Sequence, residues 1–376
     1  MASGRRSAAK DTSVPEDRLT PPPTAAPATI ASQESDASTL KRKLPEDSDE
    51  EVEVVKSDDG VPNKKAKPSY TKHERFWLLD GNVVIQIGDT RYKLHRSRLA
   101  SQSPWFEALF EKRAGREPKP DHGTLELDAV GVEEDEGYDV FDFDPHCNDD
   151  PIVDDDDFEE LLKAMDDAIA FRYSSPTFLV HAAIYRAAYN LNFPAYRDYA
   201  QKVMEDEFSQ SLDTVTQVVK PHAAEAVQLA EDWVLPSLFK RAFYELARNP
   251  DAHNAGIAKA DSDTDANVIE ERLMLQLLHI QKKLAQAWTE VVSPGKKLNC
   301  TTPKCHSDRP ENYWVPIHQE GILKDFALDP ICGLQALSKL DWTKYSHCAT
   351  CRRSRRLEFT DKRVKLWKDM DSWLPE

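Results

Sequence analysis

The sequence lacks any apolar run that approaches the roughly 20 residues needed to span a membrane, and its start, MASGRRSAAKDTSVPEDR, lacks the apolar centre of a signal peptide. It also lacks G-x-S-x-G, H-E-x-x-H and phosphate-cradling glycine motifs, and only 12 of its 376 residues are glycine. The lack of a membrane span and of a signal peptide predicts an intracellular protein without membrane contact. The lack of catalytic and phosphate-binding motifs predicts that the chain is not an enzyme.

Aromatic residues are absent from the first 69 residues, which contain eight prolines. Such a segment cannot bury enough apolar surface to offset the entropy of ordering, so we expect residues 1–72 to form a disordered tail. Lys64, Lys65 and Lys67 in this tail resemble a nuclear import signal, although short basic runs also occur by chance on solvated tails. We therefore expect the protein in the nucleus, and otherwise in the cytoplasm.

Lys and Arg are absent from residues 133–160, which hold fifteen Asp or Glu and account for nearly all of the formal net charge of −17. We interpret residues 131–157 as an acidic insertion that forms a solvated, mobile loop, because like charges at this density repel one another. A calcium loop is the alternative, but the segment lacks its fixed ligand spacing and its turn glycine.

Residues 83–94 predict a β-hairpin. The runs VVIQI and TRYKL are rich in β-formers, and Gly88-Asp89 between them suits a tight turn with positive φ. His95 follows with no Ser or Cys nucleophile in a recognisable motif, so we expect it to be a structural hydrogen-bonding residue rather than a catalytic base.

Helical patterns follow the hairpin. Ser103 and Pro104 provide an N-cap and a first-turn proline for WFEALF. The alternation in TLELDAV, residues 124–130, predicts a third strand. Asp157, with Glu160 three residues later, predicts the cap of a helix over DFEELLKAM. Two more helices are predicted over TFLVHAAIYRAAYNL and PAYRDYAQKVMEDEF.

This order of elements over residues 80–208 resembles the BTB/POZ domain, and the resemblance is specific in GDTRYKLHRSRLASQSPWFEALF. It implies an α+β fold, a small sheet with helical hairpins, over residues 73–210. It also implies protein pairing as a homodimer or with a different protein, because the hairpin and first helices form a dimer surface in that family. The residues implied for this interface are Trp77, Leu78, Leu99, Trp105 and Phe106.

Two departures from the family pattern bear on function. Where the family usually has an Asp at the start of the first strand, counting back from Gly88 reaches Asn82, and Asp80 lies two residues earlier. The dimer chemistry implied by that Asp is therefore in doubt. Some BTB relatives are adaptors of cullin-type ubiquitin ligases, but AFRYSSPTFLV lacks the Glu of their apolar-x-Glu docking motif.

Residues 211–298 predict a helical extension. The stretch AAEAVQLAEDWVLPSLFKRAFYELARNP resembles the segment that follows the BTB domain in a large group of proteins from mushroom-forming fungi. A long amphipathic helix is predicted over residues 268–292. The positions expected to be packed are Ala226, Leu229, Leu235, Leu238, Phe239, Phe243, Leu246, Ile269, Leu273, Leu277, Ile280, Leu284 and Trp288.

Six cysteines, four of them in two close pairs, fit thiols in a reducing compartment better than a disulfide framework. C-x4-C and C-x2-C predict one structural zinc in residues 299–376, because zinc prefers soft sulfur ligands. The predicted ligands are Cys300, Cys305, Cys348 and Cys351. His306 or His347 could replace one sulfur, Cys332 is a spare, and reduced thiols packed as small hydrophobes remain the alternative.

Residues 352–368 hold eight Lys or Arg against two acids. Such a run could contact phosphates, and a nucleic-acid-binding regulator is one alternative function. We favour a terminal helix that is docked by one face and exposes its basic face to water. The residues predicted to dock are Leu357, Val364, Trp367 and Leu374.

The combined pattern predicts a non-catalytic protein-interaction scaffold with an α+β pairing domain, a helical extension and a cysteine-stabilised C-terminal region. A nucleic-acid-binding transcriptional regulator and an adaptor of a cullin-type ubiquitin ligase are the alternatives. Protein partners are expected under the first and third hypotheses. Apart from structural zinc, no cofactor is expected.

Overall fold

The protein is described from a computed structural model that covers residues 70–119, 123, 125–143, 153–250, 271–293, 298 and 300–374. In these residues it has an α+β architecture with one five-stranded sheet and thirteen α-helices. The strands are β1 (Thr71–Trp77), β2 (Val83–Ile87), β3 (Thr90–Leu94), β4 (Gly131–Asp135) and β5 (Tyr138–Asp142). The α+β prediction is confirmed.

The sheet has the order β1-β3-β2-β5-β4, so β1 and β4 are its edges. β2 and β3 pair antiparallel as predicted, with Ile85 opposite Tyr92, and Gly88 in their turn has a φ of +52°. β1 runs parallel to β3 with a break in register. It begins at Thr71, inside the predicted tail, and most of that tail lies outside the described residues.

Two short helices follow the hairpin: α1 (Arg96–Gln102) and α2 (Pro104–Arg113). Ser103 caps α2 as predicted, because its hydroxyl accepts a hydrogen bond from the Phe106 backbone at 3.0 Å. The same hydroxyl donates to the Leu191 carbonyl at 2.6 Å and so ties α2 to a distant part of the chain.

The prediction for residues 124–142 is wrong in two respects. No strand forms among the described residues of 124–130, where Leu127–Ala129 make a 3-10 turn instead. The first part of the acidic insertion is not a solvated loop but the β4–β5 hairpin, in which β5 runs parallel to β2. Burial of Val140 and Phe141 favours the strand, and arginines neutralise its acids.

The second part of the insertion contains the start of α3 (Asp155–Asp166), which begins three residues before the position implied by the predicted cap at Asp157. Asp154, not Asp157, is the N-cap and accepts from the Asp156 backbone at 2.9 Å. Asp157 is instead buried and receives two hydrogen bonds from Arg186, at 2.5 and 2.6 Å. Residues 144–152 lie outside the described residues.

The remaining helices occupy most of the rest of the described chain. The two helices predicted over TFLVHAAIYRAAYNL and PAYRDYAQKVMEDEF are confirmed, and the short helix over residues 168–173 was not predicted. The helices are α4 (Ala168–Tyr173), α5 (Phe178–Asn190), α6 (Pro194–Glu207), α7 (Ala223–Asp232), α8 (Pro236–Arg248), α9 (Glu271–Val292), α10 (Glu311–Gln319), α11 (Ile322–Asp325), α12 (Pro330–Lys339) and α13 (Ala349–Asp369).

The apolar stripe predicted for α9 is confirmed in the described residues. Leu277, Ile280 and Leu284 are fully buried, and Leu273 and Trp288 nearly so. The predicted packed positions of α7 and α8 are buried as well, except that Phe239 is only partly buried. Ile269 lies outside the described residues.

The C-terminal helix docks with a face that only partly matches the prediction: Trp367 is buried and Leu374 packs partly buried against the core, as predicted. Leu357 and Val364 are 54% and 55% exposed, whereas Arg355 and Arg363 are buried beside Phe359. Arg363 donates to the carbonyls of Ile331 and Leu212 at 3.2 and 2.9 Å. These acceptors let a long cationic side chain be buried, so part of the predicted solvated basic face is interior.

Candidate functional site

The four predicted cysteine ligands lie together in the C-terminal part of the chain. Cys300 and Cys305 flank a turn ahead of α10, and Cys348 is the N-cap residue of α13. Cys351 lies in the first turn of that helix and is buried. At the helix start, the Cys348 sulfur faces the Cys351 backbone N–H, one of the groups that the first turn leaves without an intrahelical partner.

The sulfur atoms of this four-cysteine cluster all lie within 4.8 Å of one another. The Cys300 and Cys348 sulfurs are 3.6 Å apart, and those of Cys305 and Cys351 are 3.8 Å apart. Tetrahedral zinc with a Zn–S distance of about 2.3 Å places its sulfurs about 3.8 Å apart. The cluster therefore has the size and ligand chemistry to bind one metal ion.

Hydrogen bonds to the sulfurs favour thiolates at two positions. A backbone hydrogen bond from Cys351 lowers the pKa of Cys348 to about 6. Burial opposes ionisation of Cys305, but its hydrogen bonds with Ser307 and with the Cys348 backbone lower its pKa. Burial raises the pKa of Cys351 to about 12. Such hydrogen bonds support a metal ligand by fixing its orientation and stabilising its charge.

Ser307 is a supporting residue that the sequence analysis missed. Its buried hydroxyl donates to the Cys351 sulfur at 3.1 Å and lies 3.4 Å from the Cys305 sulfur. The Thr302 backbone donates to the Cys300 sulfur at 3.4 Å. The sequence offers one indication of this supporting role, namely that both residues lie within two positions of a cysteine ligand. Some other residues at such positions face solvent, so the indication does not single them out.

The alternative ligands do not join the cluster. His347 is buried, and its Nδ1 lies 2.8 Å from the Tyr345 carbonyl. The His306 backbone donates to the Ser346 carbonyl at 3.0 Å. Cys332 lies in the core, where its sulfur accepts from Arg248 at 3.6 Å, and burial raises its pKa to about 12. In the described part of the chain, the group of mutually close metal ligands consists of the four cysteines.

Three of the five predicted interface residues lie in the interior of the chain. Trp105 and Phe106 are fully buried and Leu99 nearly so, which contradicts the expectation of an exposed pairing surface there. Trp105 packs on Phe106 and Phe143 and donates from its indole to the Leu125 carbonyl at 3.0 Å. The aromatic pair at the start of α2 is therefore a core contact, because the sheet and the chain near Leu125 cover it.

The other two residues lie at the surface. Trp77 and Leu78 are half-buried at the end of β1, and the next residue, Leu79, is 97% exposed. Lys93 donates to the Leu79 carbonyl at 3.2 Å, which holds this apolar segment in place. Residues 77–79 thus form an exposed apolar end on an edge strand of the sheet, here called the β1 end.

Asn82 and Asp80 have separate structural roles beside the β1 end. The Asn82 side-chain oxygen accepts a hydrogen bond from the Arg96 backbone at 2.8 Å and so supports the start of α1. Asp80 lies 3.0 Å from the His95 Nε2, and the hydrogen bond from His95 lowers the pKa of Asp80. His95 therefore has the hydrogen-bonding role that we predicted.

Two further predictions concern the nuclear import signal and membrane contact. Lys64, Lys65 and Lys67 lie outside the described residues. No helix among the described residues is long and apolar enough to cross a membrane.

Comparison of the chain with protein-family models, with curated proteins and with solved structures gives no match.

Proposed function

We propose that this chain is a non-catalytic protein-interaction scaffold with a BTB/POZ-type pairing domain. The observation that carries the proposal is the β2–β3 hairpin leading directly into α1 and the Ser103-capped α2, the segment in which the sequence resembles that family. A sheet edge next to this segment also offers unpaired backbone groups and exposed apolar side chains.

The pairing surface in this proposal is the β1 end rather than the buried aromatics of α2. Leu79 is 97% exposed, so a polar substitution there removes no packing within the chain. The same substitution weakens any interface that buries this side chain. Light scattering of the full chain at tens of micromolar is expected to give a dimer mass. Leu79→Asp is expected to weaken dimerisation at least about tenfold, because it buries an unpaired charge.

The matched control is Val364→Asp, which places the same charge at an exposed apolar position on α13. This variant is expected to dimerise like the wild type. A monomeric wild-type chain would contradict homodimer formation, and equal behaviour of both variants would contradict the β1 end as the interface. Affinity purification of the native protein would then identify hetero-partners.

The second part of the proposal is that the four-cysteine cluster binds one structural zinc per chain. A metal bound only by the folded state stabilises that state through linkage. Zinc would hold the start of α13 to the turn ahead of α10, and four sulfur ligands leave no position open for substrate. Elemental analysis of the purified protein is expected to find about one zinc per chain.

The test pairs Cys348→Ser/Cys351→Ser with Cys332→Ser. The double variant is expected to lose the metal and to make the turn that carries Cys300 and Cys305 more sensitive to limited proteolysis, while the sheet and α1–α6 resist as before. Cys332→Ser removes a thiol outside the cluster, so this variant is expected to contain as much zinc as the wild type. Metal-free wild-type protein, or a double variant as protease-resistant as the wild type, would contradict structural zinc.

The cullin-adaptor hypothesis is a second candidate with one supporting observation. In α4, where the docking motif would lie, Ile169 and Tyr173 are 73% and 85% exposed and one helical turn apart. The absence of the Glu of that motif weakens the hypothesis. Co-purification of a cullin with the wild type, and its loss in Ile169→Asp/Tyr173→Ser, would favour the adaptor role.

A further inference from the structure

A cationic pocket of about 620 Å³ lies between the end of α12 and the first half of α13. Four of its lining side chains are cations and one is a carboxylate: Lys339, Arg352, Arg353, Arg356 and Asp341. This local excess of positive charge contrasts with the formal net charge of −17 for the chain. A pocket of this sign attracts an anion that the rest of the surface repels.

Two of the three arginines, Arg352 and Arg356, are held in place by hydrogen bonds to the protein. Arg352 donates from Nη1 to the Thr343 hydroxyl at 2.9 Å, and Arg356 donates from Nε to the Ser338 carbonyl at 3.2 Å. Each guanidinium has five N–H donors, so these bonds orient the group and leave most donors for a ligand. The Arg352 Nε is a buried donor without a partner among the described residues.

The single carboxylate of the pocket is hydrogen-bonded to a neighbouring residue in the chain. Asp341 accepts hydrogen bonds from the backbone and hydroxyl of Thr343, and the first of these measures 3.1 Å. The guanidinium groups are therefore left for a ligand with several acceptor oxygens. A phosphoryl group fits this requirement, because arginine binds phosphate through paired N–H donors.

The pocket also has an apolar border. Leu357 is 54% exposed and Leu340 is half-buried, and both line the pocket beside the arginines. A polypeptide can place an apolar side chain next to a phosphorylated one, whereas a nucleic-acid backbone presents phosphates and sugars at this position. The combination favours a protein ligand.

The remaining cations of α13 do not extend the pocket into a track for nucleic acid. Lys362 and Lys365 line a separate cleft together with Glu290 and Asp369, and Lys362 pairs with Glu358 at 2.9 Å. Arg355 and Arg363 are buried. Apart from the exposed Lys368, the basic run is thus divided among two clefts and the core, which opposes the many simultaneous phosphate contacts that nucleic-acid binding requires.

We infer that the pocket lined by Arg352, Arg353 and Arg356 binds a phosphorylated side chain of a partner polypeptide, with Leu340 and Leu357 contacting an apolar neighbour of that side chain. This site lies apart from the β1 end. It adds a phosphorylation-dependent contact to the scaffold, and it stands whether or not the chain forms a dimer.

The test uses the full chain and a fluorescein-labelled peptide pool with a central phosphoserine next to a fixed leucine. Fluorescence polarisation is expected to show binding at least about tenfold tighter than to the unphosphorylated pool. Arg353→Gln is expected to remove most of this difference. Arg353 is exposed, so the variant keeps the contacts by which Arg352 and Arg356 hold the pocket together.

Lys365→Gln is the matched control, because it removes one exposed positive charge from the other cleft of the same helix. It is expected to bind the phosphorylated pool like the wild type, with both variants melting at the wild-type temperature. Equal affinity for the two pools, or equal loss in both variants, would overturn the proposal. Displacement of the peptide by duplex DNA, with both variants weakening DNA binding alike, would show a nucleic-acid surface instead and would also overturn it.

Discussion

Asp139 in β5 lies between two guanidinium groups, with Arg96 at 2.6 Å and Arg113 at 2.9 Å. Partial burial opposes its ionisation, but hydrogen bonds from Arg96 and Arg113 hold its pKa below the ordinary value of 3.8. The sequence places this residue in an acidic run with no cation. Its partners come from α1 and α2, more than 20 residues away, and only folding brings them together.

Asp139→Asn is expected to lower the free energy of unfolding by about 1–2 kcal/mol at neutral pH, because it weakens hydrogen bonds to charged donors. Since the folded-state pKa is depressed, the stabilisation is present above the unfolded pKa and is lost as the pH falls through the folded one. The difference between variant and wild type should therefore shrink below about pH 4. Urea denaturation across this pH range measures it.

The control is Glu133→Gln, which removes an exposed acid from the neighbouring strand β4. Its effect on unfolding is expected to stay within about 0.5 kcal/mol at every pH. A constant difference between Asp139→Asn and the wild type from neutral pH down to pH 3 would show that the ion pairs do not stabilise the fold.

At the scale of the element, α12 packs against α9 so closely that Gly333 has no room for a side chain. A Cβ at this position would lie 2.5 Å from Cζ3 of Trp288 and 2.9 Å from Cβ of Phe326. The Trp288 ring is held by its hydrogen bond to the Leu323 carbonyl at 3.1 Å. This contact gives a physical reason for a glycine in a helix interior, where it is otherwise unfavourable.

Gly333→Ala is expected to destabilise the protein by about 1–3 kcal/mol, because overpacking outweighs the gain in helix propensity. Thermal and urea unfolding measure the change. Trp288→Phe removes the ring atoms nearest the new methyl group, so the double variant should lose less stability than the sum of the two single variants. Lys339→Ala, at an exposed position of α12, is the control for helix propensity. A stabilised Gly333→Ala variant would contradict this packing argument.

At the scale of the whole molecule, Arg248 joins the helical extension to the C-terminal region. Its guanidinium pairs with Glu245 and Asp329, at 2.5 and 2.7 Å, and donates to the carbonyls of Thr216 and Val218. Asp329 is in turn the N-cap of α12, where it accepts from the Cys332 backbone at 3.0 Å. Buried apolar residues from Phe76 to Met370 also form one continuous cluster.

Arg248→Ala is expected to cost about 3–5 kcal/mol of stability, because it removes the cation paired with Asp329 and leaves buried Glu245 with Arg241 as its one remaining cation among the described residues. The network crosses the predicted boundary near residue 298. We therefore expect the variant to unfold in a single cooperative transition at a lower temperature than the wild type, without separate melting of the C-terminal region. Calorimetry and tryptophan fluorescence measure this, with Arg353→Gln as an exposed arginine control. Two separate transitions in the wild type would contradict this coupling.

Features that depend on local pattern could be predicted from the sequence. The β2–β3 hairpin follows from strand propensity around Gly88, α2 from its Ser-Pro start, and the stripe of α9 from helical periodicity. Each cysteine pair was predictable as a short chelate, but the meeting of the two pairs, with Cys300 beside Cys348 and Cys305 beside Cys351, is a tertiary contact across 48 and 46 residues.

Features that depend on distant partners could be seen only in the folded protein. Charge density alone predicted a loop where β4 and β5 form, because the sequence does not show that arginines of the hairpin, α1 and α2 meet these acids. It likewise could not show that Arg363 finds carbonyl acceptors in the core, or that the sheet covers Trp105. Burial of a charged or aromatic group depends on what lies across from it, and that is a property of the fold.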